Sequence, residues 1–548
     1  MTGEAMDRSK VRMHSTSIEQ PSSFAEGLLR PILLGAGMKL KDLLPGAGST
    51  DPWTHPDAEI SSVVYNSAET SAGSLFVAIR GEKTDGNRFI FDALQRGARA
   101  IVSEMAAPPG PGWDALVRGN AAAVPQTIPA DIAWVRVADA RKALATIAAN
   151  FFGQPSDKLQ LVGITGTNGK TTTSFLVDSM LHAAGHDSGL FGTIEYRTPV
   201  MRRPALTTTP QSLELQMFLA EVLQAGGTHA VLEASSHALA LDRTWACRFA
   251  VAVFTNLTRD HLDFHGTLDK YFAAKRLLFE GTGAGAPATG VINVDDPYGK
   301  QLSGLAERTI TYGLGSGAQI TTKKFWLVFE GLEFTADTPI GKIEVRSPLV
   351  GRINVYNILA AVATGVGLGL SRTAIEKGIR QLTAVPGRFE RVDLGQSFLV
   401  IVDYAHTDDA LRNLLATARE LNPGGRVITM FGCGGDRDRA KRPMMGEAAG
   451  RASDVVVLTS DNPRSEDPLF IINDVSVGLQ RTSARVLIEP DRGRAIELAL
   501  DQARAGDIVL LAGKGHETTQ VFRDRTIPFD DREVAQRVLA NRGYASKP

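Results

Sequence analysis

Gly166-Thr-Asn-Gly-Lys-Thr-Thr172 follows the apolar run 159–165. It leads into a helical pattern in which Leu176, Val177, Met180 and Leu181 share a face and Gly185 marks the stop. A strand, a glycine turn, Lys-Thr and a helix start together make a phosphate cradle. Backbone N–H groups and the positive helix end meet phosphate oxygens, Lys170 adds a point charge, and the Thr171 hydroxyl can reach Mg²⁺. The long form of this pattern wants glycine at position 164, which is Ile164, so the short form carries the signal.

Other residue types could supply the rest of a reaction. Glu233 ends an apolar run, where a carboxylate can hold Mg²⁺ beside Thr171 or serve a helix N-terminus. His261 and Asp263 follow another such run; a metal role and a structural one both fit that histidine. Lys275 sits in the amphipathic stretch 271–279, and its spacing alone reads as a solvated or snorkelling lysine. Arg464, in Asp461-Asn-Pro-Arg464, has the fork that grips a carboxylate, although a surface turn accounts for the motif equally well. Gly513-Lys-Gly-His-Glu517 is too glycine-rich for a regular helix start and suits a backbone that approaches a ligand closely. Cys433, between glycines, reads as small packing.

Three regions must position these residues. Residues 38–156 alternate strands (75–79, 100–103, 134–137) with helices (89–97, 140–152), and 106–130 reads as a Pro/Gly/Ala-rich loop. Residues 157–386 carry strands at 159–165, 229–233 and 250–254 between helices, as in a doubly wound parallel sheet whose ligands gather at the carboxyl ends of strands. An Ala-rich helix begins after Asn354, and 281–290 is a Gly/Ala-rich break. Residues 387–548 hold four apolar runs (398–402, 426–430, 454–458, 507–511), each ending in a polar or glycine-rich motif, which predicts a second open α/β sheet with its loops at one edge. Residues 1–37 are polar and read as a flexible tail, with Met38 a natural start.

A net charge of −1 gives no sign of a nucleic-acid partner, and no apolar run approaches the length of a membrane span. Two cysteines in 548 residues make no disulfide framework and fit a reducing, cytoplasmic setting.

Taken together, the motifs resemble the Mur ligases, ATP-dependent amide-bond ligases of peptidoglycan-precursor synthesis. The resemblance rests on Gly166–Thr172, Glu233-Ala-Ser-Ser-His237, Asp260-His-Leu-Asp-Phe-His-Gly266, Asn293-Val-Asp-Asp-Pro297, Asn354-Val-Tyr-Asn357, Pro386-Gly-Arg388 and Asp403-Tyr-Ala-His-Thr407, in that order. The C-terminal set is Gly434-Gly-Asp-Arg-Asp438, Lys441-Arg-Pro443, Asp461-Asn-Pro-Arg464 and Gly513-Lys-Gly-His-Glu517. It is similar to the branch that adds diaminopimelate as the third residue.

The resemblance implies a three-domain α/β architecture: an N-terminal UDP-sugar domain (38–156), a central P-loop ATPase domain (157–386) and a C-terminal, Rossmann-like amino-acid domain (387–548). It implies ATP on Gly166, Thr167, Asn168, Gly169, Lys170, Thr171, Thr172, Asn354, Arg388 and Asp403. Mg²⁺ would be held with Thr171, Glu233, His261 and a carbamylated Lys275, which reverses the reading of Lys275 from spacing. UDP-N-acetylmuramoyl-L-alanyl-D-glutamate would meet Ser67, Thr208, Thr209, Ser235 and Arg243. meso-Diaminopimelate would meet Arg437, Asp461, Asn462, Pro463, Arg464, Gly513 and Glu517. The implied enzyme is a cytoplasmic monomer with no membrane insertion. His237 and His406 are the candidates for taking the amine proton.

Departures from the family pattern fall mainly at the nucleotide-sugar end: Asn66 and Ala68 flank Ser67 where Asp and Arg are usual, Thr207 replaces an Asn, Leu241 a Gln, and the segment 81–86 has unusual central residues. Asp408 stands where a Pro is usual. The alternatives are the same ligase with lysine, a folate-type glutamate ligase, and a nucleotide switch that makes no new bond.

Overall fold

The structure, a computed structural model, describes residues 37–81, 84–108, 113, 128–315, 317–328 and 331–545. The tail at 1–36, positions 82 and 83 of the segment 81–86, and most of the loop at 106–130 lie outside the described residues. The chain falls into two compact units, one ending at Ala143 and the other beginning at Leu144; the division lies within the helix Ala140–Phe151.

In the first unit, Ser62–Val64, Ser74–Val77, Ala100–Ser103 and Ala133–Arg136 form a parallel four-stranded sheet. Its strands are short apolar runs, and Phe76, Ile90, Ile101 and Trp113 fill the core on one face. The helix expected over 89–97 is a 3₁₀ turn, Gly86–Phe89, running into Ile90–Gln95.

The second unit is built on two mainly parallel sheets. The larger runs, edge to edge, through Arg202–Pro204, Glu195–Arg197, Ser188–Phe191, His229–Glu233, Gln160–Thr165, Val251–Phe254, Thr289–Asn293 and Arg308–Tyr312. The phosphate-loop strand Gln160–Thr165 lies inside the sheet, with Glu233 paired to Ile164 on one side and Phe254 to Thr165 on the other. That register brings Glu233 and Thr255 to the two flanks of the cradle, because all three strands run the same way and end together. Helix Lys170–Ala183 packs on the Ala-rich helix Arg352–Gly367 and on Arg372–Gln381. Gly378 makes the second contact possible: a Cβ there would sit 2.4 Å from Met180 Cα. The Ala-rich helix begins at Arg352, three residues before the expected start, so Asn354 lies in its first turn. The expected break at 281–290 ends early, since Thr289 opens a buried strand.

The smaller sheet has the order Glu390–Arg391, Leu399–Asp403, Ile508–Ala512, Val427–Phe431, Val455–Leu458, Arg485–Ile488. All pairs but the first are parallel. The four expected apolar runs are its four inner strands, each displaced by about one residue. Their motifs leave from the carboxyl ends at one edge, as expected. Thr407, at the end of one motif, accepts the Ala410 N–H as N-cap of helix Asp408–Leu421, a contact of a kind that stabilises by about 1 kcal/mol. Asp408 is the first helical residue, a position that suits a proline through its fixed φ and an aspartate through the helix dipole, so the departure there is structurally mild.

Candidate active site

A cavity of about 250 Å³ opens where the phosphate loop faces the start of the smaller sheet. Gly166 (φ 145°) and Gly169 (φ 87°) have backbone conformations that side chains disfavour. Space forbids one as well: a Cβ on Gly166 would fall 1.9 Å from Thr255 Oγ1, and one on Gly169 2.4 Å from Asn357 Oδ1. The loop is thereby held against both neighbours, and its Thr167 and Asn168 N–H groups donate to Asn256 O and Oδ1. Lys170 Nζ donates to the carbonyls of Gly166 (2.8 Å) and Thr167 (2.9 Å).

Glu233 is fully buried and does not cap the following helix; Ser235 does that. Its Oε2 accepts from the Thr171 hydroxyl (3.0 Å) and the Thr193 hydroxyl (3.0 Å), and its Oε1 from the Thr193 N–H (2.9 Å). Arg388 Nη2, from the other sheet's entry, donates to Thr171 Oγ1 at 3.2 Å, and its guanidinium lies over the Tyr404 ring at 4.5 Å. A hydroxyl and a carboxylate side by side are hard oxygen donors of the kind Mg²⁺ takes. No group of three or more His, Cys, Asp or Glu able to hold a metal occurs among the described residues. The donor set therefore fits an ion that keeps waters and phosphate oxygens as its other ligands.

Lys275 overturns the reading from spacing. It is 1% exposed, its Nζ donates to Gly166 O at 2.8 Å, and it lies 4.3 Å from the centre of the Tyr271 ring. Burial, and then the neighbouring Lys170, hold its ammonium well below the usual lysine range. Lys170 is also lowered by burial, against the pull of Glu233 and Asp260. His261 is a left-handed N-cap residue (φ 53°) on the same cavity, with Nε2 3.3 Å from Asp260 Oδ2. Burial pushes its imidazole down to about 3, which leaves a neutral ring able to offer a lone pair.

Asn354 and Asp403 also line the cavity. Asn354 Nδ2 donates to Val350 O at 2.7 Å, and Asp403 accepts the N–H groups of Phe389 (2.7 Å) and Ala405 (2.8 Å). Thr208, Thr209, Ser235 and Arg243 meet at the Glu233 end. Thr209 Oγ1 donates to the Glu233 carbonyl (2.6 Å), Arg243 Nη1 donates to Thr209 O (3.1 Å), and the Thr208 hydroxyl lies 3.2 Å from that of Thr193. Ser67 belongs to the first unit, where Asn66 caps its 3₁₀ turn and the Ser67 hydroxyl bonds the Asp92 carboxylate.

The amino-acid set gathers within the smaller sheet's loop edge, separate from the lining of the cavity. Asn462 Nδ2 donates to Glu517 Oε2 at 2.9 Å. Arg464 adopts a left-handed backbone (φ 53°) and donates Nη1 to Gly435 O at 2.8 Å. Burial, and then Arg437, lower the Arg464 guanidinium, so two cations face one space. Gly435 allows the approach of Pro463, whose carbonyl a Cβ would strike at 1.9 Å. Gly513 has φ 109°, with Asp461 Oδ2 3.4 Å from where its Cβ would be.

Several residues that line the cavity were missed in the sequence. Thr193 clamps Glu233, yet only a Gly-Thr pair after the apolar run 188–191 signalled it. Asp260, Tyr271 and Asn357 line the cavity from within quoted motifs whose spacing marks no role for them.

Profiles of known families match in three places: the Mur ligase family catalytic domain at 59–152, the Mur ligase middle domain at 164–365 and the Mur ligase glutamate ligase domain at 387–515. A relative from Solibacter usitatus, named UDP-N-acetylmuramoyl-L-alanyl-D-glutamate–2,6-diaminopimelate ligase, is 54% identical over 89% of this chain and 94% of its own. One of the same name from Geobacter metallireducens is 43% identical over 92% and 100%. A solved structure carrying that name covers 93% of this chain and 100% of its own, with a TM-score of 0.63 and 31% identity. A folylpolyglutamate synthase from Mycobacterium tuberculosis shares the fold at 18% identity and a TM-score of 0.56, over 74% of this chain and 95% of its own. With that identity sustained along nearly the whole chain, and the phosphate loop, buried carboxylate and buried lysine assembled as described, the chain belongs to the Mur ligase family.

Proposed function

We propose that the protein joins meso-diaminopimelate to UDP-N-acetylmuramoyl-L-alanyl-D-glutamate at the expense of ATP, acting as a cytoplasmic monomer in peptidoglycan-precursor synthesis. The observation that carries the amino-acid choice is Arg464, which hydrogen-bonds through Nη1 alone among the described residues and lies within electrostatic reach of Arg437, Asp461 and Glu517. Diaminopimelate has two carboxylates and two amines; a pair of arginines and a pair of acids match both. Lysine lacks the distal carboxylate and would leave an arginine unpaired in a half-buried site.

Gly166–Thr172 would take the phosphates of ATP, and Thr171, Glu233, His261 and a carbamate on Lys275 would hold Mg²⁺. When bound, Mg²⁺ neutralises phosphate charge. Lys170 leaves its carbonyl partners to meet the γ-phosphate. Thr208, Thr209, Ser235 and Arg243 set the dipeptide so that the γ-carboxylate of D-glutamate reaches phosphorus, releasing ADP and forming an acyl phosphate. The amine of diaminopimelate then attacks the acyl carbon, and phosphate leaves.

His406 is the better placed of the two base candidates. It lines the cavity, and its Nδ1 donates to Tyr404 O at 2.9 Å, which leaves Nε2 as an acceptor. Burial, and then Lys441, lower its imidazole, which favours the neutral ring with a free lone pair while making it a weaker base.

Phosphate release should require both the muramoyl dipeptide and diaminopimelate, and a new amide should appear in the product by mass spectrometry. Steady release without either would refute the ligase reading; growth of a glutamate tail on a pterin would favour the folate-type one. Arg464→Ala should lower kcat/KM for diaminopimelate by about 10–100-fold while the KM for ATP stays put. Unchanged selectivity against lysine would move the clamp elsewhere.

A further inference from the structure

Lys514 has no role in the reading so far, yet its side chain is fully buried among the residues of the amino-acid cluster. A lysine ammonium removed from water is held only where partners replace its hydration. Its Nζ donates to Asn462 Oδ1 at 3.1 Å and to Glu517 Oε2 at 2.9 Å, and it lies 3.6 Å from Asp461 Oδ1. Asp461 Oδ1 is itself buried and accepts no hydrogen bond, so its charge is met by Lys514 across that gap.

These contacts decide which atoms are left for a ligand. Asn462 Oδ1 accepts from Lys514 and from the Val521 N–H at 3.0 Å, which fixes the amide so that Nδ2 points at Glu517. Glu517 Oε2 thus holds two donors. Glu517 Oε1 has no partner among the described residues, and the side chain is 30% exposed. A free glutamate on a glycine-rich loop rotates; this one is pinned by one oxygen and presents the other.

We infer that Lys514 is a positioning residue for the incoming amino acid: an internal counter-ion that locks the Asn462 amide and turns Glu517 Oε1 outward to accept an ammonium of that amino acid. The inference rests on the ligase reading above. Without the lysine, Asp461 and Glu517 lose their ion-pair partner, the Asn462 amide can flip and Glu517 can swing. A lysine that merely packed the loop would instead weaken the fold and every substrate alike.

The test is steady-state kinetics on full-length enzyme. Lys514→Met should raise the KM for diaminopimelate about 10–100-fold, with the KM for ATP changed less than about twofold. Because Lys514 acts through Glu517, Lys514→Met added to Glu517→Gln should cost little beyond Glu517→Gln alone. An unchanged KM for diaminopimelate, parallel losses for ATP and amino acid, or losses that multiply in the double variant would overturn the inference. Should Lys514→Met fail to fold, Lys514→Arg decides. It keeps the charge and misplaces the donors, so a raised KM for the amino acid alone supports the role, and an unchanged one or a rise shared with ATP overturns it. A parent enzyme that uses lysine in place of diaminopimelate would overturn the substrate assignment only; the same KM comparison made with lysine still decides Lys514.

Discussion

Lys275→Met is expected to lose at least about 10²–10³-fold in turnover and yet to melt no lower than the parent at neutral pH. The two halves have one cause. Lys275 is buried against the Gly166 carbonyl and the Tyr271 ring, with Lys170 nearby, so its charged form is disfavoured. A neutral buried amine is a nucleophile toward CO₂, and the carbamate it would form is an anionic oxygen donor beside the phosphate cradle. Methionine fills the space but cannot make that donor.

Stability runs the other way. The unfolded lysine titrates near 10.5 and the folded one well below it. Between those limits the unfolded state binds a proton that the native state does not, so lysine penalises folding increasingly as pH falls across that window. The penalty vanishes above about pH 10.5. In CO₂-free buffer, the melting advantage of Lys275→Met should therefore be largest at the acid end of the window and shrink to nothing at high pH. Supplying bicarbonate should raise the parent's activity and leave the variant's unchanged. Turnover within about tenfold of the parent would remove Lys275 from the chemistry. A variant less stable at neutral pH would mean that the hydrogen bond to Gly166 outweighs desolvation.

Lys275 also shows where sequence reading stops. Amphipathic spacing places a lysine on a helix face but does not say whether another segment covers that face. Here the phosphate loop covers it, a contact 109 residues away in the chain. Glu233 was easier, because a carboxylate ending a buried parallel strand must emerge at the ligand edge. Its clamp by Thr193 was barely legible, since only a Gly-Thr pair after the short strand Ser188–Phe191 marks it and the pairing of that strand with the Glu233 strand is a property of the fold. The inner strands of the smaller sheet were readable as β-branched runs, whereas Arg485–Ile488, an edge strand with exposed positions, offers only the three-residue apolar run 486–488. The three-stranded antiparallel sheet of Phe325–Val328, Gly331–Thr338 and Gly341–Ser347 was not anticipated although its strands carry a signal: 332–337 and 342–346 alternate apolar with polar residues, and Phe325–Val328 is apolar throughout. Arg464 could be singled out by type alone, but its left-handed backbone and its position against Gly435 are properties of two loops that meet only in the fold.

Glu233→Gln should lower turnover by about 10²–10⁴-fold and shift half-maximal activity to higher Mg²⁺, while leaving the fold intact. The substitution is isosteric, and Gln Oε1 can still accept the Thr193 N–H, so packing against Gly192, where a Cβ would lie 2.2 Å from the carboxylate, is preserved. What changes is charge and hydroxyl direction. In the parent, Thr171 spends its proton on Glu233 Oε2, which turns its lone pairs outward. In the variant the amide NH₂ faces Thr171 and donates to it. The hydroxyl oxygen then carries that donor together with Arg388 Nη2, and its own proton points toward the cavity, where a cation cannot accept it. One anionic oxygen and one neutral ligand are lost by a single atom change, with no cavity created. Ala at Thr171 should reproduce the shift in Mg²⁺ dependence but not its full size, because the carboxylate stays. If Glu233→Gln keeps the parent's turnover and Mg²⁺ dependence, Glu233 only braces Thr193, and the metal side of the site must be rebuilt around His261 and Lys275.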